Sequence, residues 1–320
     1  MPRTVFAADL GGTKLATALL TTKGKFLARK TETVDKSSTM APVEQICRMA
    51  REVSGKTKIC AAGIAVPGLV RRNRTVWAPN LPGWEKVPLE NLLRKRLQVT
   101  VQVESDRNAA VLGETWQGAA RGKSDVVVLV VGTGIGAGIL SGGEVLRGAH
   151  ELSGCAGWMV VSEANGDEVR RHGSLEAFAC GPALVRAAVS SIEAGLGGKL
   201  ASLPTKELTA EAIARLAREH DPLARQIFQR MGKLLGLAVA NLISLFDPEV
   251  VIVSGGMIAA ADLFFETLTE TALARCQPLA AQQVQIKLSR LGNGANLLGA
   301  ARLALTAGRR GQSSTINRHS

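Results

Sequence analysis

Apolar and polar positions alternate through the first thirty residues, so Thr4 to Ala8, Leu15 to Leu20 and Phe26 to Arg29 read as strands separated by turns at Asp9 to Thr13 and Lys23 to Lys25. The pattern predicts an antiparallel meander. Met40 to Val53 carries its apolar residues at helical spacing. The continuous apolar run Ile59 to Val66, ending in Pro67-Gly68, suits a parallel strand buried on both faces. Gly83 to Val87 reads as loop, Leu89 to Leu97 as helix, Val99 to Glu104 as strand, and Asn108 to Gln117 as a helix entered through Ser105 or Asp106. After a change of composition at Gly118 to Lys123 the pattern restarts. Strands are predicted at Val126 to Val131, Ala137 to Leu140 and Glu144 to Arg147, with turns at Gly132 to Gly136 and Ser141 to Gly143. The two halves read as diverged copies of one unit. Helical patterns follow at Leu175 to Ile192, Thr209 to Arg218 and Pro222 to Leu245, then a strand at Val250 to Val253 that opens into Ser254-Gly255-Gly256. A last helix is predicted at Asn296 to Leu305 and a disordered polar tail from Arg309 to Ser320.

Composition narrows the class. A chain of 320 residues, 46% hydrophobic and 21% charged, is long enough for two domains and too apolar to be mainly disordered; its 34 glycines are too irregular for collagen. The longest apolar stretch, Val126 to Leu140, is interrupted by Gly132, Gly134, Gly136 and Gly138, so no membrane span is expected. No secretory leader follows Arg3, which makes a cytoplasmic location the expectation. The 5 cysteines include no C-x-x-C pair, which argues against a disulfide framework and a Cys-rich zinc knuckle. The net charge of +12 gathers at Arg71, Arg72 and Arg74, at Arg94 to Arg96, and near the C-terminus. Such clusters are read as solvated faces, with a nucleic-acid footprint or attraction for an anionic small molecule as the alternatives. With 3% aromatic residues and no Tyr, stacking platforms for nucleic acid are scarce, and no nucleic-acid partner is expected.

The candidate chemistry lies in the turns. Asp9-Leu-Gly11-Gly12-Thr13-Lys14 sits between two strands, where glycines can expose N–H groups and Thr13 a hydroxyl to phosphate oxygens; an ordinary hairpin turn is the alternative. Gly132-Thr133-Gly134-Ile-Gly has the same character. It also opens like a dinucleotide fingerprint, but the following residues read as strand where that motif needs a helix, and no Walker loop occurs. Two Gly/Thr turns, one opening each repeat, can instead hold one phosphate chain across an interdomain cleft. Gly255 and Gly256 would let a flat base lie on backbone, or form a plain turn. Asp106, between a strand and a helix, reads as a general base for a substrate hydroxyl or as a helix cap.

Asp9-Leu-Gly-Gly-Thr-Lys, Val66-Pro-Gly, Glu104-Ser-Asp-Arg-Asn-Ala-Ala, Gly132-Thr-Gly-Ile-Gly and Val253-Ser-Gly-Gly follow one another as in the ROK family of sugar kinases and sugar-responsive repressors, which the chain resembles over residues 4 to 307. The resemblance implies an α/β, two-domain actin-like, ribonuclease H-like ATPase fold. Residues 1–118 would form a smaller domain completed by a helix at about 296–307, and 119–295 a larger one. It implies ATP with Mg2+ near Asp9, phosphates between Asp9 to Thr13 and Gly132 to Gly134, adenosine near Gly255 and Gly256, and Asp106 as catalytic base. Gly68, Asn80, Ser105, Cys155, Trp158 and Glu176 fall at sugar-binding positions, and a homodimer is implied. The chain departs from the family's E-x-G-H motif, which here reads Cys155-Ala-Gly-Trp158, and from its zinc cysteines, whose places hold Asp167, Val169 and Ser174, so no structural zinc is expected. A less polar sugar pocket follows, for a hexose derivative such as a glucose relative. The alternative is an inactive sugar-binding or regulatory relative.

Overall fold

The structure, a computed structural model, describes residues 3–313. Contacts divide the chain into two units: the first takes residues up to Gly122, Val145–Ser153 and the chain from Asn293 onward, and the second takes Lys123–Glu144 and Gly154–Gly292.

The first unit holds β1 (Thr4–Leu10), β2 (Lys14–Thr21), β3 (Phe26–Thr33), α1 (Ala41–Ser54), β4 (Ile59–Val66), the short ribbon of β5 (Leu69–Val70) and β6 (Val76–Trp77), α2 (Leu89–Leu97), β7 (Thr100–Ser105) and α3 (Asp106–Gln117). Its sheet order is β3-β2-β1-β4-β7. β1 and β4 run parallel with Asp9 opposite Ala65, and β4 and β7 run parallel with Val66 opposite Ser105. The carboxyl ends of three neighbouring strands therefore lie on one edge. α1 turns Val43, Ile46, Met49 and Ala50 onto a core with Phe6, Leu10, Leu15 and Ile64, and it ends at Gly55, whose φ of 51° suits a residue without a Cβ.

The C-terminal helix, Ala295–Ser313, belongs to this unit and packs on α3, β1 and β4. Small residues set how close it comes. A Cβ on Gly299 would stand 1.7 Å from the Ala109 carbonyl oxygen, one on Gly63 1.8 Å from that of Ala300, and one on Gly113 2.1 Å from that of Ala295. The tail predicted from Arg309 falls partly on the last turns of this helix, and its remainder, 314–320, lies outside the described residues.

The second unit repeats the plan with β8 (Val126–Val131), β9 (Ile135–Ser141), β10 (Glu144–Val145), α4 (Asp167–His172), α5 (Ser174–Ala179), α6 (Gly181–Glu193), α7 (Ala210–Arg218), α8 (Pro222–Phe246), β11 (Val250–Ser254), α9 (Phe265–Arg275), α10 (Pro278–Ala281) and β12 (Gln285–Leu288). Its sheet order is β10-β9-β8-β11-β12, with β8, β11 and β12 parallel. The single helix predicted over Leu175 to Ile192 is two. Pro182 has no N–H for the carbonyl one turn back, Cys180 goes extended at φ −96°, ψ 171°, and the helix restarts. The sequence pattern also missed α4, α9, α10 and β12.

Candidate active site

In the first unit, strand register gathers the predicted residues. Asp9 lies at the end of β1, Gly68 follows β4, and Ser105 and Asp106 join β7 to α3, so Asp9 and Asp106 flank β4, near enough for the charge of Asp106 to act on Asp9. Carboxyl ends of parallel strands are where α/β sheets place ligands. Gly68 has φ 86° and lies so near Trp77 that a Cβ would meet its carbonyl oxygen at 2.2 Å. Gly12 packs on Asn80, whose Cβ would be 3.4 Å from a Cβ at position 12, which joins the first Gly/Thr turn to the predicted substrate loop. The Gly11 N–H closes that turn on the Lys14 carbonyl at 2.8 Å, leaving Gly12 and the exposed Thr13 at its tip.

Both carboxyls sit where ionisation is penalised. Burial, and then the charge of Asp106, push Asp9 up to about 7, while the Asn296 amide, donating from Nδ2 to both Asp9 oxygens at 3.3 and 3.2 Å, pulls the other way. Burial also raises Asp106, opposed by the N–H and charge of Arg107. Asp106 is the first residue of α3 and not its cap: Ser105 holds that position, and Asp106 Oδ1 accepts from the neighbouring Arg107 N–H at 2.8 Å. The Ser105 hydroxyl is buried without a hydrogen-bond partner.

In the second unit, β8 and β11 end side by side, which brings the second and third Gly turns together. A Cβ on Gly132 would face the Gly256 nitrogen at 3.8 Å. The Gly132 N–H donates to the Gly134 carbonyl at 3.0 Å, and the Gly132 carbonyl accepts from Gly181 N at 2.8 Å. Gly255 has φ 95° and a Cβ there would lie 2.3 Å from the Val131 carbonyl oxygen, whereas a Cβ on Gly256 would point into open space. Glu176 Oε2 accepts from Ile135 N–H at 2.7 Å, so this predicted sugar ligand also braces the Gly132 to Gly134 turn. A Cβ on Gly157 would stand 3.0 Å from the Glu176 side chain, so Gly157 sets the turn of Cys155 and Trp158 beside it; Trp158 is 58% exposed. Where the family's cysteines would fall, Val161 N–H donates to Ser174 Oγ at 3.2 Å and Leu175 N–H to the Met159 carbonyl at 3.1 Å. Among the described residues no group of three or more His, Cys, Asp or Glu is placed to hold a metal ion.

Sequence reading assigned no role to Asn296, Glu104, Arg107 or Arg147. Glu104 is buried and accepts from Arg147 at 3.0 and 2.6 Å and from Asn108 at 2.9 Å. The Arg107 guanidinium donates to the carbonyls of Ser153 and Glu151 at 3.1 Å each. Apart from Asn108, four positions from Glu104, these partners lie 43 to 46 positions apart, or 287 for Asn296 and Asp9, beyond any local spacing rule.

The sequence profile of the ROK family matches residues 5–307. A glucokinase of Thermotoga maritima is 34% identical, over 93% of this chain and 96% of its own. A xylose repressor of Caldicellulosiruptor bescii is 30% identical, over 78% of this chain and 63% of the repressor. The crystal structure of a ROK family glucokinase from Streptomyces griseus, in complex with glucose and AMPPNP, superposes with a TM-score of 0.78 at 29% identity, covering 95% of this chain and 99% of that one.

Proposed function

Because the chain belongs to the ROK family and has its actin-like ATPase fold, we propose that this ATP-dependent sugar kinase transfers the γ-phosphoryl group to a hydroxyl, the primary one, of a hexose or hexose derivative such as glucose. The observation that carries the reading is Asp106. It is a carboxyl with a raised pKa, free of capping duty, at the carboxyl ends of the parallel strands β1, β4 and β7, where Asp9 also lies. As general base it accepts the hydroxyl proton while that oxygen attacks phosphorus, and its raised pKa makes it a better acceptor than an ordinary carboxylate. The Thr13 and Gly12 tip and the Gly132 to Gly134 turn would receive phosphate oxygens, and Gly255 with Gly256 would admit the base. Asn80, Gly68, Ser105, Cys155, Trp158 and Glu176 would contact the sugar.

Two neighbouring carboxyls, with the charge of Asp106 weighing on Asp9, are a donor set that suits a hard divalent cation. Asp9 would hold the Mg2+ that travels with ATP, and its charge would neutralise the transferring group. A homodimer is part of the proposal on family resemblance alone, to be checked by sedimentation at twice the monomer mass. The changed Cys155 and Trp158 favour one second reading, a sugar-binding relative without turnover.

ADP release from Mg-ATP, measured across hexoses, amino sugars, anhydro sugars and polyols, separates the two. Turnover that depends on one sugar class and falls about 100- to 10,000-fold in Asp106→Asn supports the kinase. Sugar binding without turnover selects the second reading.

A further inference from the structure

The Asp9 carboxylate is held by a side chain from the far end of the chain. Asn296 is the second residue of the C-terminal helix, and its Nδ2 reaches both Asp9 oxygens. Its position is set by packing. Ala295, Leu297 and Leu298 beside it are buried, and the helix is locked at backbone distance to α3 through Gly113 and Gly299. α3 is the helix whose first residue is Asp106, so one helix start is tied both to the carboxylate of Asp9 and to the element that carries the other carboxylate.

The chemistry of the amide matters. A Lys at this place would neutralise Asp9 and compete with any cation, an Asp would add a third negative charge, and an apolar residue would leave the carboxylate free to rotate. An amide N–H orients the oxygens and leaves the charge in place. We propose that Asn296 is a positioning residue for the nucleotide side of the site, aiming the Asp9 carboxylate while leaving its charge for the magnesium-nucleotide complex. The inference rests on the kinase reading above. Partners that orient a carboxylate toward a metal are worth about 10- to 100-fold in affinity or activity.

The test is binding of Mg-AMPPNP by calorimetry, with and without EDTA, alongside steady-state kinetics of the wild type, Asn296→Ala, Asn296→Asp and Asn296→Ser. The expected result for Asn296→Ala is Mg-AMPPNP binding weakened about 10- to 100-fold. KM for Mg-ATP should rise in parallel while KM for the sugar stays within about twofold, and the difference from wild type should vanish in EDTA. Asn296→Asp should be worse than Asn296→Ala, and Asn296→Ser, which keeps a short donor, should recover part of the loss. Unchanged Mg-AMPPNP affinity in Asn296→Ala, a wild-type-like Asn296→Asp, or an equal loss for sugar and nucleotide with a falling Tm would overturn it. A wild type that binds Mg-AMPPNP but turns over no sugar defeats the kinase reading and leaves the Asn296 comparison readable. A wild type that binds no Mg-AMPPNP overturns both.

Discussion

Asp9 occupies a place that penalises its own charge. Its carboxyl titrates near 7 in the folded protein and near 3.8 when unfolded. Between those values the folded state carries a proton the unfolded state lacks, so the contribution of Asp9 to stability falls as pH rises through this window. Asp9→Asn removes that penalty. Without ligand it should match the wild type near pH 4 and exceed it at pH 8 by on the order of 1–3 kcal/mol, read from urea midpoints at the two pH values. An equal increment at both would mean that Asp9 ionises normally. On the other unit, Cys155→Glu combined with Trp158→His restores the family's polar pair and should raise kcat/KM for glucose by about tenfold or more, since polar sites discriminate strongly among hydroxyls. No change would place the Cys155 to Trp158 turn outside the sugar contacts. Asp9 and Asp106 were legible because each stands at the junction of an apolar run and a turn. Asn296 was not, because a single Asn opening a helix looks the same whether or not a carboxylate waits above it.

At the scale of elements, the two adjacent glycines after β11 separate packing from function. Gly255→Ala would force a Cβ onto the Val131 carbonyl at a φ of 95°, and should lower Tm and soluble yield. Gly256→Ala meets nothing within 4 Å, so stability should hold while KM for ATP rises several-fold if the base lies there. The C-terminal helix gives a harsher case. Gly299→Ala drives a Cβ to 1.7 Å from the Ala109 carbonyl, for an expected loss of about 3 kcal/mol or more in urea unfolding. Strands and turns were readable because period-two runs punctuated by glycine have few alternatives. α9 was missed because its apolar face is thin, with only Leu268 and Ala272 buried, and the break at Cys180 was missed because the apolar spacing continues across Pro182.

For the whole molecule, the repeat read from two Gly/Thr turns is matched by two sheets of the same order, a meander followed by two parallel strands. The sequence pattern showed the meanders plainly and the final parallel strand of the second sheet, β12, not at all, since four residues half in solvent carry little signal. No helix among the described residues is long and apolar enough to cross a membrane. If both substrates bind the folded chain, Mg-AMPPNP and the preferred sugar, each at about 100 times its Kd, should add about 2.7 kcal/mol apiece and raise Tm by a few degrees each. A shift with Mg-AMPPNP alone and none on adding any sugar would count against a ternary complex.

The return of the C-terminal helix to the first unit bears on how the chain is made. Translation delivers β1 to α3 early, yet the helix against which Gly63 and Gly113 close lies beyond Gly292. At about 5–20 residues per second, the opening unit waits roughly 10–35 s for its last piece while the intervening unit is completed. A chain released after Gly292 should therefore resist protease over Lys123 to Glu144 and Gly154 to Gly292 and remain cleavable before Lys123, so that the segment synthesised first is the one that folds last.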